Sequence, residues 1–235
     1  MGKEKDIYEH LEEVRTRIIK SLFAVAIFSI LAYIFKDELL AILTKPLARE
    51  LIFLSPAEPL VALIKLSLIA GFIIAFPYVI YQFWKFVAEV FNKESRRKVV
   101  KYLFFSLVLF YGAIVFCYLM VLPIALNFLI NFGDFLVPSL TISNYLNFAL
   151  YLLFSFGIVF QFPLILFALI NLNILSIEML KKQRRYIILI IFIFAAIITP
   201  PDAMSLLLLA LPMVLLFELT LLIARISIRS NETHQ

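Results

Sequence analysis

The stretch "RRYIILIIFIFAAIITPPDAMSLLLLALPMVLLFEL", residues 184–219, contains two apolar runs around the turn sequence Thr199-Pro200-Pro201-Asp202. The first run, residues 186–198, has thirteen residues and no charge. A helix of that length covers about 20 Å, whereas the hydrocarbon core of a bilayer is about 30 Å thick. The run is therefore short for a membrane span and too apolar for water.

The composition of the whole chain places this run in a membrane protein. Hydrophobic residues make up 64% of the 235 residues, and the mean hydropathy is +1.04. Average soluble domains are nearer half apolar. The charged residues cluster between long apolar runs, as expected when a charge inside lipid is costly. The sequence therefore predicts a polytopic membrane protein.

Six apolar segments can be marked. They cover residues 18–35, 66–86, 99–122, 145–170, 186–198 and 203–223. The first four exceed the length of about 17 residues that a spanning helix needs. We expect an all-α fold with six transmembrane helices, of which the fifth and sixth are short. A single membrane domain, residues 1–235, would comprise a cytoplasmic amphipathic helix (1–17), the spans (18–223) and a cytoplasmic tail (224–235).

The distribution of basic residues predicts the orientation. If both termini are cytoplasmic, all but Lys36, Lys45, Arg49 and Lys65 of the 21 Lys and Arg residues lie at the inner side. Such an excess marks the cytoplasmic side. This topology requires residues 186–198 to cross the membrane, with residues 200–202 in a tight external turn. Around so short a span the bilayer thins, or water reaches the helix ends.

Four prolines lie within or at the ends of the apolar segments: Pro77, Pro123, Pro163 and Pro212. Proline removes a helix hydrogen bond and bends or ends its helix. We expect several kinked helices that form a concave wall.

The N-terminal segment predicts an amphipathic helix at the inner interface. Its apolar residues recur at helical spacing: Ile7, Leu11, Val14 and Ile18. Glu13 and Arg17 are four residues apart, which also fits a solvated face whose charges pair with each other.

The segment between the second and third spans holds Trp84, which we interpret as an interface aromatic. Further on, Asn92 is suited to cap the third helix, and Glu94 falls in its first turn, where a carboxylate suits the helix dipole.

Two polar residues lie in the last spans. Gln161 lies in the fourth span, where an amide either bonds a neighbouring helix or hydrates a cavity. Glu218 lies near the inner end of the sixth span, within reach of water or Arg225.

Five motifs together resemble the TatC family, the multispanning core of the twin-arginine protein translocase. They are "HLEEVRTRI" (10–18), "FPYVIYQFWKFVAEVFNKESRR" (76–97), "FYGAIVFCYLMVLP" (110–123), "FGIVFQFP" (156–163) and residues 184–219 quoted above. They follow the family's order and are spread along the chain from residue 10 to residue 219. Two departures stand out: many members carry glutamate where this chain has Gln161, and "VAEVFN" differs from the "APGL"-like sequence of relatives.

The resemblance implies a receptor in the cytoplasmic (inner) membrane for folded proteins whose N-terminal signal has two adjacent arginines. It implies an oligomeric complex with the single-span subunits TatA and TatB, surrounded by lipid and driven by the proton-motive force without a cofactor. The family's signal-peptide-binding residues match Glu13, Arg15, Arg17, Phe86 and Glu94. Structural or partner-contact positions match Pro46, Tyr118, Gln161, Pro200, Pro201, Asp202 and Glu218.

The chemistry of the two carboxylates agrees with that implication. A guanidinium binds a carboxylate through two parallel hydrogen bonds and stays charged, so two adjacent arginines need two carboxylates. In the predicted topology Glu13 and Glu94 are both cytoplasmic, so they are able to flank one peptide.

Other function classes fit less well. A secondary transporter would place paired charges or broken helices at the membrane midplane, whereas the ionisable residues here lie near the inner surface. A general membrane insertase is distinguished only by whether clients need paired arginines. An intramembrane protease is disfavoured because His10 and His234 lie outside the spans. We expect no enzymatic activity, no metal and no nucleic-acid partner.

Overall fold

The backbone is described here from a computed structural model for residues 2–47, 51–90, 96–131, 140–171, 174–198 and 203–232. Side chains are described for residues 12–47, 51–87, 100–131, 140–171, 174–197 and 203–225. The helices are α1 Gly2–Ile34, α2 Lys36–Thr44, α3 Glu58–Val90, α4 Arg96–Phe116, α5 Leu122–Asn131, α6 Ile142–Val159, α7 Phe162–Asn171, α8 Ile177–Lys182, α9 Arg184–Ile198 and α10 Ala203–Glu232, with a π-helical turn Cys117–Val121 between α4 and α5.

Across these ranges the fold is all-α, as predicted, with a single isolated β-bridge between Ile52 and Thr141. Five helical stretches are long and apolar enough to cross a membrane: Glu12–Ile34, Glu58–Val87, Val100–Asn131, Ile142–Asn171 and Ala203–Arg225. The stretch that the sequence marks as a fifth span forms α9, which has 15 residues. Its crossing of the membrane stays a prediction.

The expectation of a short sixth helix was wrong. Helix α10 has 30 residues and continues past Arg225 to Glu232. After Pro212 its sequence contains neither proline nor glycine, and Leu, Ala and Arg are good helix formers, so no residue ends the helix where the apolar run stops.

The four prolines have different surroundings. Pro77 and Pro212 lie inside the continuous helices α3 and α10. Before Pro123 the chain widens into the π-helical turn, where the N–H of Leu122 donates to the carbonyl oxygen of Cys117. A wider turn relieves the clash between a proline ring and the carbonyl four residues earlier.

Pro163 follows a break between two helices. Helix α6 ends at Val159, and the N–H of Gln161 donates to the carbonyl oxygen of Ile158 at 2.9 Å, a tighter turn than an α-helix makes. Because proline has no N–H to offer the carbonyl of Val159, the helix restarts as α7 at Phe162.

The described residues form two compact units. The first comprises residues 1–107 and 140–147. In this unit α1 packs along α3, whose buried residues include the small Ala62, Ala70 and Ala75. The two helices approach closely at Gly71, where an added Cβ would collide with the backbone and hydroxyl of Ser29. Small residues of this kind let transmembrane helices approach each other closely.

Elsewhere in the first unit, Glu58 joins the loop before α3 to the start of α6. Its carboxylate accepts hydrogen bonds from the N–H of Leu54 at 2.8 Å and of Ser143 at 3.0 Å. Beside it, the hydroxyl of Tyr145 donates to the carbonyl oxygen of Leu43 at 2.5 Å. These bonds hold the segment before α3 against the start of α6.

The second unit comprises residues 108–139 and 148–235. In it α10 packs against α5, α7, α8 and α9. Its buried side chains include Phe156, Phe217, Leu209 and Ile191, each at most 2% exposed. This packing sets the positions of the α8–α9 segment and of Glu218.

Replacing Gly71 with alanine is expected to destabilise the protein by about 1–3 kcal/mol, because the methyl group overpacks the contact with Ser29. Gly112→Ala is the matched control, since no described atom lies within 4 Å of the Cβ position at Gly112. Thermal unfolding of the purified variants in detergent checks this. Equal melting temperatures for the two variants would contradict the close approach of α1 and α3.

Candidate functional site

The candidate site is built around a buried arginine where α1 meets α3. Arg17 is 8% exposed, and its Nη2 forms an ion pair with Oε1 of Glu13 one turn earlier on α1. Its Nη1–H donates to the backbone carbonyl oxygen of Gln82 on α3 at 3.4 Å. A buried charge is stable only when it is paired and hydrogen-bonded. Arg17 therefore links the Glu13 carboxylate to a defined place beside α3.

Glu13 keeps part of its carboxylate accessible. Its side chain is 34% exposed, although Oε1 contacts Arg17. An ionised carboxylate has about four acceptor positions on its two oxygens. The pair with Arg17 uses one oxygen, so the geometry allows Glu13 to accept hydrogen bonds from a second cation.

Arg15 lies away from this contact. Two residues correspond to about 200° around a helix, and Arg15 is exposed whereas Arg17 is buried. Val14 is half-buried and Ile18 is 54% exposed, and the amphipathic helix at the inner interface stays a prediction. The side of α1 that faces α3 thus includes a charged residue, which the apolar periodicity did not indicate.

Phe86 lies one helical turn beyond Gln82 on α3 and is half-buried. In the turn before Gln82, the Tyr78 hydroxyl accepts a hydrogen bond from the Gln82 side-chain amide at 2.7 Å. Phe86 therefore lies one turn along α3 from Gln82, whose backbone carbonyl accepts the hydrogen bond from Arg17.

Trp84 is a supporting residue that sequence reasoning assigned wrongly. It is 2% exposed instead of lying at the interface. Its ring stacks on Tyr102 with a centroid distance of 4.6 Å and an interplanar angle of 15°. Its Nε1–H donates to the buried hydroxyl of Ser106 on α4 at 2.8 Å. Since a buried indole needs a partner for its N–H, the Ser106 hydroxyl makes burial possible.

Several predicted residues lie outside the described part of the chain. They are Asn92, Glu94, Pro200, Pro201 and Asp202. The structure thus brings Glu13 and Arg17 together and shows Phe86 on the adjoining helix.

The other predicted positions are spread over both units. Pro46 is half-buried in the turn after α2, Tyr118 is half-buried in the π-helical turn, and Gln161 is buried at the break between α6 and α7. Glu218 forms an ion pair with Arg184, whose Nε lies 2.6 Å from Oε1. Arg184 is the first residue of α9, and sequence reasoning had considered only Arg225 as a partner.

Comparison with known proteins identifies the family of this chain. A family model described as "Sec-independent protein translocase protein (TatC)" matches residues 9–212. The chain belongs to the TatC family. It is a multi-pass membrane protein and a component of a Sec-independent protein translocase, so its role is transport.

Curated relatives of the same description match nearly full length. The TatC protein of Carboxydothermus hydrogenoformans is 40% identical over 95% of this chain and 94% of its own length. That of Aquifex aeolicus is 38% identical, covering 97% of this chain and 98% of the relative. That of Escherichia coli is 33% identical, covering 92% of this chain and 86% of the relative.

A solved structure shares the fold. The crystal structure of the twin-arginine translocase receptor TatC in DDM superposes with a TM-score of 0.85 at 38% identity. It covers 92% of this chain and 99% of that chain. The helical arrangement described above is therefore that of the TatC family.

Arg17→Gln is expected to destabilise the protein by about 1–3 kcal/mol, because it removes the ion pair and the bond from α1 to α3. Arg15→Gln, two residues away and exposed, serves as the charge-matched control and should change stability by at most about 0.5 kcal/mol. Unfolding in mixed micelles measures both. The structural role of Arg17 would be refuted by equal effects of the two substitutions.

The Trp84–Ser106 bond is testable by a double-mutant cycle. Trp84→Phe retains an aromatic ring on Tyr102 but removes the N–H, and Ser106→Ala removes the acceptor. We expect a coupling energy of about 1 kcal/mol from unfolding measurements on the two single variants and the double variant. Strict additivity would show that the bond contributes nothing to holding α3 against α4.

Proposed function

We propose that this chain is the twin-arginine signal-peptide receptor and the assembly core of a Tat translocase. It exports folded proteins across the cytoplasmic membrane by using the proton-motive force, together with TatA and TatB in an oligomeric complex. The observation that supports this most is the Glu13 carboxylate, which Arg17 holds beside α3 while leaving it partly exposed. The solved relative of 38% identity is described as a receptor.

In the proposed topology both termini are cytoplasmic and six helices cross, with α9 as the short fifth span. Residues 1–235 then form one membrane domain, in which the N-terminal 17 residues and the tail from 224 lie in the cytoplasm. The excess of Lys and Arg in the cytoplasmic segments supports this arrangement. A 15-residue helix covers about 22 Å, so the bilayer thins beside α9 or polar groups reach inward.

Recognition proceeds through two carboxylates. One signal arginine binds Glu13 and the other binds Glu94, each through charge-assisted hydrogen bonds. Arg17 acts as a positioning residue, because its second bond to Gln82 keeps it in place while Glu13 shares its carboxylate with the signal. Phe86 contacts the apolar part of the signal, and Arg15 contributes from the exposed side of α1.

The remaining family positions support the architecture or contact partner subunits. The Arg184–Glu218 ion pair joins the start of α9 to the late part of α10, so it helps to hold the short span. Pro46, Tyr118, Pro200, Pro201 and Asp202 have structural or partner-contact roles. Because glutamine does not titrate, Gln161 contributes hydration or hydrogen bonding at the α6–α7 break and not proton transfer.

A secondary transporter is the second candidate, and one observation favours it. The fourth apolar stretch is interrupted between Val159 and Phe162, next to the buried Gln161. Discontinuous helices with polar residues are typical of transporter binding sites. If the chain is a secondary transporter or a general insertase, binding of a protein client should not depend on paired arginines in the client.

Site-specific photocrosslinking in inner-membrane vesicles tests the receptor role. A crosslinker replaces Phe86, and the client carries either Arg-Arg or Lys-Lys in its signal. We expect Arg-Arg-dependent crosslinks that fall about tenfold or more with Glu13→Gln or Glu94→Ala, because a charge-assisted hydrogen bond contributes about 1.5–3 kcal/mol.

Glu12→Gln provides the control for this experiment. Glu12 is the neighbour of Glu13 on α1 and is exposed, so the substitution makes the same change of charge outside the Arg17 contact. Crosslinking should remain at the level of the unmodified chain. Equal crosslinking of Arg-Arg and Lys-Lys clients in every variant would reject the receptor and favour an insertase or a transporter.

A further inference from the structure

A concavity of about 560 Å³ lies where α8 leads into α9. Its lining includes the cations Lys182 and Arg185, the polar side chains of Ser176, Gln183 and Tyr186, and the carboxylate of Glu178. None of these residues belongs to the signal-recognition site or to the partner positions considered above. The concavity is therefore separate from the proposed signal site.

Positive charge dominates around the concavity. The run Lys181–Arg185 contains four cations in five residues, while Glu178 is the acidic residue of the lining. Arg184 is paired with Glu218, which leaves Lys181, Lys182 and Arg185 to set the local potential. Basic pockets beside transmembrane helices at the cytoplasmic side favour anionic lipid headgroups.

Contacts with Tyr186 orient one of the cations that would bind an anion, Arg185. The Arg185 guanidinium lies 4.8 Å from the centroid of the Tyr186 ring, and its Nη2–H donates to the Tyr186 hydroxyl at 2.9 Å. The buried Leu180 anchors α8, and the Ser176 hydroxyl accepts the N–H of Met179 at 3.1 Å. A pre-positioned guanidinium loses less conformational entropy on binding, and its fork matches two phosphate oxygens.

An exposed apolar stripe on α9 begins at this same place. Its members share one helix face and are each at least 48% exposed: Tyr186, Leu189, Ile190, Ile193, Phe194 and Ile197. Their spacing of three and four residues is that of one side of an α-helix. A molecule with a phosphate in the concavity would have apolar surface directly along α9 for a hydrocarbon chain.

We propose that the α8–α9 concavity binds an anionic phospholipid. The phosphate lies between Lys182 and Arg185, and an acyl chain runs along the α9 stripe. The combination of a basic concavity and an adjoining apolar face distinguishes this ligand from a free anion, which would use the concavity alone. The assignment to the inner leaflet rests on the proposed topology, but the binding chemistry does not.

The test uses the full chain in phosphatidylcholine nanodiscs that contain a small fraction of phosphatidylglycerol with a photoreactive acyl chain. Labelled residues are mapped by mass spectrometry. We expect labels on the α9 stripe, and we expect Lys182→Gln/Arg185→Gln to reduce them about tenfold or more, since each surface cation contributes on the order of 1 kcal/mol to anionic-lipid binding. Lys20→Gln/Arg225→Gln removes one lysine and one arginine at exposed positions outside the lining and should leave most of the labelling.

Two further arms separate the possible ligands. Photoreactive phosphatidylcholine should label the stripe weakly, and its labelling should not respond to the double substitution. Equal labelling by both lipids would overturn the proposal and leave α9 as ordinary lipid-facing surface. Complete competition by glycerol phosphate at constant ionic strength would also overturn it, in favour of a site for soluble anions. These readouts use no client, so their failure would leave the Arg-Arg crosslinking result unaffected.

Discussion

The constraint on which the structure depends is that backbone amides inside a bilayer have no water to bind. Only a helix satisfies these groups within a single segment, so the described apolar stretches are helical almost throughout. The departures occur where proline removes a donor, at the π-helical turn before Pro123 and at the break before Pro163. The backbone of these two places is satisfied by altered hydrogen-bond spacing, as the bond from Leu122 to Cys117 shows.

Specific partners likewise fix the charged groups at helix contacts. Arg17 is buried at the α1–α3 contact with a carboxylate and a backbone carbonyl as partners, and Arg184 pairs with Glu218 between α9 and α10. The Glu13–Arg17 pair lies within α1 and is tied to α3 by the bond from Arg17 to Gln82, whereas the Arg184–Glu218 pair connects α9 and α10. Lipid competes equally well for an apolar helix face, so apolar packing alone does not fix the register of two helices. Paired charges therefore add specificity to these helix contacts.

Sequence reasoning predicted the features that depend on local composition. The all-α class and the approximate positions of the long spans follow from hydropathy, and Glu13 with Arg17 follows from a four-residue spacing. It missed features that depend on residues far apart in the chain, such as the Trp84–Ser106 bond and the pairing of Glu218 with Arg184. It also placed the end of α10 at the end of the apolar run, although helix propensity continues the helix to Glu232. The part of the site that includes Glu94 still rests on the family resemblance.

In the proposed receptor function, a buried arginine beside Glu13 accounts for how a net basic protein binds a basic signal. The chain has a formal net charge of +5, so its overall field repels a peptide with two arginines. Arg17 has the same charge as the signal arginines and lies beside Glu13. Its place in the α1–α3 contact, however, directs its guanidinium to Oε1 of Glu13 and to the backbone carbonyl of Gln82. The carboxylate is thereby oriented before the signal arrives, and little conformational freedom is lost on binding. Under this proposal, recognition depends on short-range hydrogen bonds that a lysine pair cannot reproduce in the same geometry, which gives a physical basis for selecting arginine.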